Sequence, residues 1–211
     1  MFITFEGIEG CGKSTQIDRI EKTLNKSGIP VLKTFEPGGT GIGMKIRRIL
    51  LDSRNKNLTP LAELILYIAD RAQHMEEVIS PALGEGKWVL CDRFFDATIV
   101  YQGAARGQDM AFIHALNQEV TRGIRPDITF LLDCPVEMGL KRALKRNEAS
   151  SEQSQDRFEK EKIEFHRAVR EGYLDIAARE PERVIVIDAA LSEGDVERSI
   201  FDHIKPFLGK D

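Results

Sequence analysis

Gly7-Ile8-Glu9-Gly10-Cys11-Gly12-Lys13-Ser14 fits the pattern G-x-x-x-x-G-K-S/T, and its surroundings are the ones that give the pattern meaning. Before it lies the apolar run 2–5, which reads as a buried strand. After it, residues 13–27 carry a helical pattern closed by Gly28 and Pro30. A strand, a glycine-rich turn and a helix in that order make an anion site. The glycines let backbone N–H groups converge on one centre, and the helix adds the positive end of its dipole. Residues 7–15, from Gly7 to Thr15, are therefore expected to hold the phosphates of a nucleoside triphosphate. Lys13 reaches the β- and γ-phosphates and Ser14 holds Mg²⁺. Glu9 needs a separate reading, because phosphates repel a carboxylate in their own loop. It is expected to face a sugar hydroxyl; a solvent-facing loop residue is the alternative.

Outward from this loop, short apolar runs alternate with amphipathic stretches. Strands are expected at 31–34, 88–91, 128–132 and 184–187, with a glycine-rich turn at 36–43 after the second. Thr59 and Pro60 start a helix as N-cap and first helical residue. Its apolar positions run from Leu61 to Ile79 at helical spacing. Further helices are expected at 95–104 and 109–121, after Pro135, and over a stretch in which Phe158, Phe165, Val169 and Ile176 share a face. A last one is announced by the capping box of Ser192 and Asp195. Strand–helix alternation implies a parallel sheet covered on both faces. Such sheets bind ligands beyond the carboxyl ends of their strands, so residues just after strands one, two and three should converge.

Several residues follow those strand ends. Asp92 is placed to order the hydration of Mg²⁺, and Arg93 to bridge two phosphates; a plain helix cap is the alternative for the aspartate. Tyr67 and Arg71 stand four apart and share a helix face, offering a base an aromatic plane and a phosphate a cation. A half-buried tyrosine with a solvated arginine fits that spacing equally well. Thr98, Tyr101 and Gln102 offer polar contacts to a base edge. Arg142, Lys145, Arg146 and Arg157 flank a polar stretch that reads either as a lid carrying arginine over the transferring group or as a solvated loop.

Composition bounds the rest. The 211 residues suit one domain, 1–211, with the lid at about 142–157. A net charge of −4 argues against a general nucleic-acid binder. Cys11, Cys91 and Cys134 form no CxxC pair and the histidines show no metal-ligand spacing, so buried thiols in a reducing compartment are expected. No apolar run approaches the roughly 18–20 residues of a membrane span. The start MFITFEGIEG lacks the features of a secretory signal, so a cytoplasmic protein without a membrane partner is expected. Neither a Ser-His-Asp nor a Cys-His arrangement stands out, and the N-K-x-D motif of a GTPase is missing.

Beyond the loop, FEGIEGCGKST at 5–15, EPGGTGIG at 36–43 and KIRRILL at 45–51 follow in order. ADRAQH at 69–74, LCDRF at 90–94, YQGAARG at 101–107, DRFE at 156–159 and FHRAVREGYL at 165–174 complete the series. In order and spacing this resembles the thymidylate kinase family over nearly the whole chain. The resemblance implies a three-layer α/β P-loop NTPase fold with a five-stranded parallel sheet, a homodimer, and transfer of the γ-phosphoryl group of MgATP to dTMP. It places Glu9 near the acceptor 3′-hydroxyl, Arg47 and Arg71 near the dTMP phosphate, and Tyr67 on thymine. Arg93 falls between the two phosphates, Thr98 and Gln102 at the base edge, and Tyr101 against the 2′ position. Glu36, in the EPGG segment, joins the acceptor site. Gly10 where some relatives have arginine implies the bacterial type, with the catalytic arginine in the lid: Arg146 first, Arg142 second. The segment near Ala189 is expected to line the adenine pocket. Phe35, Tyr67 and Ala97 depart from the family's more usual arginine, phenylalanine and serine, and the lid lacks its Arg-Gly arrangement. A kinase for another pyrimidine monophosphate and an inactive nucleotide-binding module are the alternatives.

Overall fold

A computed structural model describes residues 1–149 and 157–208. Five strands form one parallel sheet: β1 (Phe2–Glu6), β2 (Val31–Phe35), β3 (Trp88–Asp92), β4 (Ile128–Asp133) and β5 (Val184–Asp188), in the order β2-β3-β1-β4-β5. The alternation of side chains along each strand splits the core in two. Ile3, Phe5 and Leu90 pack with Ile17 and Ile20 of α1 (Lys13–Lys26) and Ile200 of α9 (Glu193–Ile204). Phe2, Val89 and Cys91 face Leu64 and Ile68 of α3 (Pro60–His74) and Ile113 of α6 (Met110–Thr121). Two covered faces explain why the central strands β1, β3 and β4 read as largely apolar runs, while the edge strand β2 carries the exposed Lys33.

Register puts the functional segments level with one another. Phe5 and Phe35 both pair with Asp92, so the loop after β1, the Asp92–Arg93 step and Glu36 all begin at one height. Two bonds extend the ladder past the strands: Arg93 N donates to Phe5 O at 3.0 Å and Glu36 N to Asp92 O at 2.9 Å.

Four elements differ from the sequence reading. The glycine-rich turn passes at Gly41 into a helix, α2 (Gly41–Leu51), capped by Thr40. The helix begun at Pro60 widens into a π-helical turn over Met75–Ile79 before α4 (Ser80–Gly84); α5 (Phe95–Thr98) likewise passes into a π-helical segment, Ile99–Ala105. Phe158 is not helical. α8 (Ile163–Arg179) begins only after Lys162, whose extended backbone breaks the run, and Phe158 is buried from the preceding turn against Tyr101 and Phe165. α7 (Val136–Ala149) leads toward the lid, whose residues 150–156 lie outside the described ones.

Candidate active site

The level strand ends enclose a cavity of about 650 Å³ lined by Glu9, Gly10, Lys13, Ser14, Glu36, Arg47, Tyr67, Asp92, Arg93, Thr98, Tyr101, Gln102 and Arg146. Of the phosphate loop, Ile8 and Cys11 give their side chains to the core, leaving their backbone N–H groups for a ligand. Gly12 caps α1 in the left-handed region, φ 98°, where a glycine is at ease. Gly7 is also left-handed, and Thr15 is exposed on the first turn of α1, outside the cavity lining. Lys13 Nζ stands 3.3 Å from both Gly7 O and Ile8 O, folded over the loop it serves.

Arg93 is held from several sides. Its backbone is left-handed, φ 70°, which a non-glycine residue adopts only when its neighbours impose it. Nη1 donates to Tyr173 Oη at 2.9 Å, Nη2 to Glu9 Oε1 at 3.2 Å, and the guanidinium lies 4.9 Å from the Tyr101 ring centre. Tyr101 Oη donates to the same Glu9 oxygen at 2.6 Å. Burial alone would raise Glu9; His166, Arg93, Tyr101 and Lys13 outweigh it and hold the carboxyl at about 2. Glu9 is thus an anion fixed at the cavity wall rather than a solvated loop residue.

Behind Arg93 lies Glu6. It accepts from Phe94 N at 2.7 Å and Tyr173 Oη at 2.6 Å, and burial pushes its carboxyl up to about 7 against the pull of Arg93. Glu6, Tyr173 and the buried His166, whose Nδ1 stands 3.4 Å from Glu9 Oε2, lie inside the family segments at 5–15 and 165–174, but no sequence pattern assigned any of them a role. Glu63 was missed as well, although Glu63, Tyr67 and Arg71 recur at four-residue spacing along α3 and so share a face.

Ser14 Oγ donates to Asp92 Oδ2 at 3.0 Å beside Lys13. A hydroxyl and one carboxylate are hard oxygen donors, the set that suits Mg²⁺ when water and phosphate complete its shell. Among the described residues no cluster of three His, Cys, Asp or Glu offers an all-protein cage. Arg47 reaches the cavity over the Phe35 ring, at 5.6 Å, and donates to Pro37 O at 2.8 Å. Arg146 reaches the cavity edge with Glu159 3.4 Å away, whereas Arg142 donates to the Ala189 carbonyl at 3.2 Å.

Arg71 is not brought to the cavity. It is 1% exposed and every guanidinium nitrogen is engaged: Nε with Glu36 at 2.8 Å, Nη1 with Thr98 Oγ1 at 3.0 Å and Asn117 Oδ1 at 2.8 Å, Nη2 with Phe94 O at 3.0 Å. It sits beneath the cavity lining and fixes Thr98 and Glu36 from behind.

A phosphate loop at a parallel sheet, a hard-oxygen pair and cations ranged along one crevice define a P-loop phosphotransferase. A family model described as thymidylate kinase matches residues 5–200. A thymidylate kinase of Trichlorobacter lovleyi is 53% identical over 97% of this chain and 96% of its own length; one of Desulfosudis oleivorans is 57% identical over 90% and 89%. The crystal structure of thymidylate kinase from Ehrlichia chaffeensis superposes with a TM-score of 0.77 at 35% identity, covering 97% of this chain and 98% of that one. The chain belongs to the thymidylate kinase family.

Proposed function

We propose that the chain transfers the γ-phosphoryl group of MgATP to dTMP, giving dTDP and ADP. One observation carries this: Lys13, Asp92 and Arg93 share a single cavity with Glu9, Tyr67, Thr98, Tyr101 and Gln102, so donor and acceptor groups meet end to end. A monophosphate has its second pKa near ~6 and is already largely a dianion at neutral pH, so no general base is needed. The obstacle is repulsion between two anions and the charge of a loose transition state. Lys13 and the loop amides bind the donor phosphates, Arg47 binds the acceptor phosphate, and Arg93 lies between the two. Arg146, from the lid side, adds charge over the transferring group. Glu9 orients the acceptor through its 3′-hydroxyl, Tyr67 stacks on the base, Thr98 and Gln102 meet its edge, and Tyr101 crowds the 2′ position. Arg71 and Glu36 support the acceptor site from beneath. Ser14 would hold Mg²⁺, with Asp92 ordering its water, and the ion would supply neutralising charge on the donor phosphates.

The unit that does this is 1–211, closed by a lid at about 142–157 that excludes water and suppresses hydrolysis. It acts as a homodimer in the cytosol, a setting that suits three buried free thiols. ADP release coupled to turnover of dTMP, dUMP, dCMP, CMP and AMP tests the reading. dTMP should give the highest kcat/KM, and parity with CMP or AMP would refute the substrate. Arg93→Ala should lower kcat by about a hundredfold or more with the fold intact; near-normal turnover would remove Arg93 from the mechanism.

A further inference from the structure

Resting on the pyrimidine acceptor just proposed, we infer that Glu63 is a positioning residue: it fixes which edge of the Gln102 amide faces the base. The pocket then accepts bases that carry a ring N–H and rejects cytosine.

Glu63 is 1% exposed on the first turn of α3. Its Oε2 accepts from Arg157 Nη2, and its Oε1 lies 3.4 Å from Arg106 Nε and accepts from Gln102 Nε2 at 2.9 Å. A carboxylate between two guanidinium groups is an acceptor only. A primary amide has one donor edge and one acceptor edge, and the two are interchangeable in shape. Turned the other way, Gln102 would set its oxygen against a carboxylate oxygen in a buried site, with no proton between them. That arrangement forfeits a hydrogen bond and adds repulsion. Glu63 therefore claims the nitrogen, and Oε1 is the edge left to the cavity that Gln102 lines.

Thr98, four residues earlier, is set by the same logic. Its Oγ1 accepts from Arg71 Nη1, so its own proton is left to point elsewhere. A donor beside an acceptor matches the C4 carbonyl and N3–H of thymine or uracil. Cytosine presents an amino group and a bare N3, the reverse pattern, and meets donor with donor and acceptor with acceptor. The selectivity thus originates in a charged side chain that never touches the substrate.

The test is the ratio of kcat/KM for dTMP over dCMP, with N3-methyl-dTMP as a third acceptor. In Glu63→Gln, whose amide no longer dictates Gln102, the ratio should fall about tenfold or more while the KM for ATP stays within about twofold. Glu63→Asp, which withdraws the acceptor but keeps the charge, should shift the ratio in the same direction and carries the test if Glu63→Gln does not fold. A purely structural role would depress dTMP and dCMP together. An unmoved ratio in the folded Glu63 variants overturns the inference, as does wild-type protein that turns over N3-methyl-dTMP as well as dTMP. Wild-type protein that prefers a purine monophosphate would instead overturn the reading of function.

Discussion

At the scale of single residues, the site is built from carboxylates with opposed environments. Glu6 and Glu9 stand three apart around the start of the phosphate loop. Glu9 keeps its charge down to about 2, while Glu6 takes up a proton near 7. For Glu6 the sign is unusual for an acid: its folded value lies above the ordinary 4.5, so the native state binds the extra proton between 4.5 and 7. Its contribution to stability is therefore present below about pH 4.5 and declines as pH rises through 7. Thermal melts of wild type and Glu6→Gln across that window should show the wild-type advantage shrinking with pH, since other titrations cancel in the difference. A difference that is flat or grows with pH would mean that Glu6 is ionised throughout. This pair also marks how far the sequence could be read. Lys13, Asp92 and Arg93 were legible because a local motif and a strand end placed them. Glu6 falls between the apolar run 2–5 and the phosphate loop, where neither pattern gives it a role, and Tyr173 and His166 come from about 160 residues away, through contacts that no local spacing records. Arg71 was legible as a member of the right helix face, but its burial behind Thr98 depends on where Glu36 and Asn117 arrive.

At the scale of elements, the loop and α7 meet backbone to backbone. A Cβ at Gly10 would lie 2.0 Å from Gly139 O, and one at Gly139 would lie 2.6 Å from Glu9 O. α7 leads from this contact toward Arg142, Arg146 and the lid, so the spacing of loop and helix sets where those arginines hang. Helix propensity alone would favour alanine over glycine by roughly 1 kcal/mol. At Gly139 the clash with immovable backbone should reverse that sign, costing about 1–3 kcal/mol and raising the KM for ATP. Gly194 on α9, where an added Cβ meets nothing within 4 Å, is the control. Gly194→Ala should stabilise by a few tenths to ~1 kcal/mol with unchanged kinetics. Melting curves of the two variants check the opposite signs. The central strands were the most legible elements, because two covered faces leave largely apolar runs. α2 was hidden by glycines at its start, where Thr40 supplies the cap. The π-helical turns were hidden because one extra residue per turn hardly disturbs an apolar pattern that stays buried on both sides of it.

At the scale of the whole molecule, α3 presents two distinct faces. Its inner face carries Glu63, Tyr67 and Arg71 under the acceptor site. Its outer face carries Leu61 and Ile65, one turn apart; with Ile42 and Ile49 of α2 and Phe112 of α6, each is between 43% and 53% exposed. α2, α3 and α6 pack side by side, so these side chains fall on adjoining helices of one layer. Five large apolar groups left in water on one layer forgo burial worth about 1.5–3 kcal/mol each if fully covered, and a second copy of the chain is the occupant that fits the homodimer proposed above. In the proposed dimer α3 would lie between the partner and the binding site, and would transmit the loss of either. Leu61→Glu combined with Ile65→Glu should convert the protein to a monomer in sedimentation velocity. It should also raise the KM for dTMP several-fold while the KM for ATP, set across the sheet by the phosphate loop, moves little. Wild type that sediments as a monomer at micromolar concentration would exclude the dimer. A double variant that is monomeric but keeps its dTMP kinetics would show that the two faces of α3 act independently.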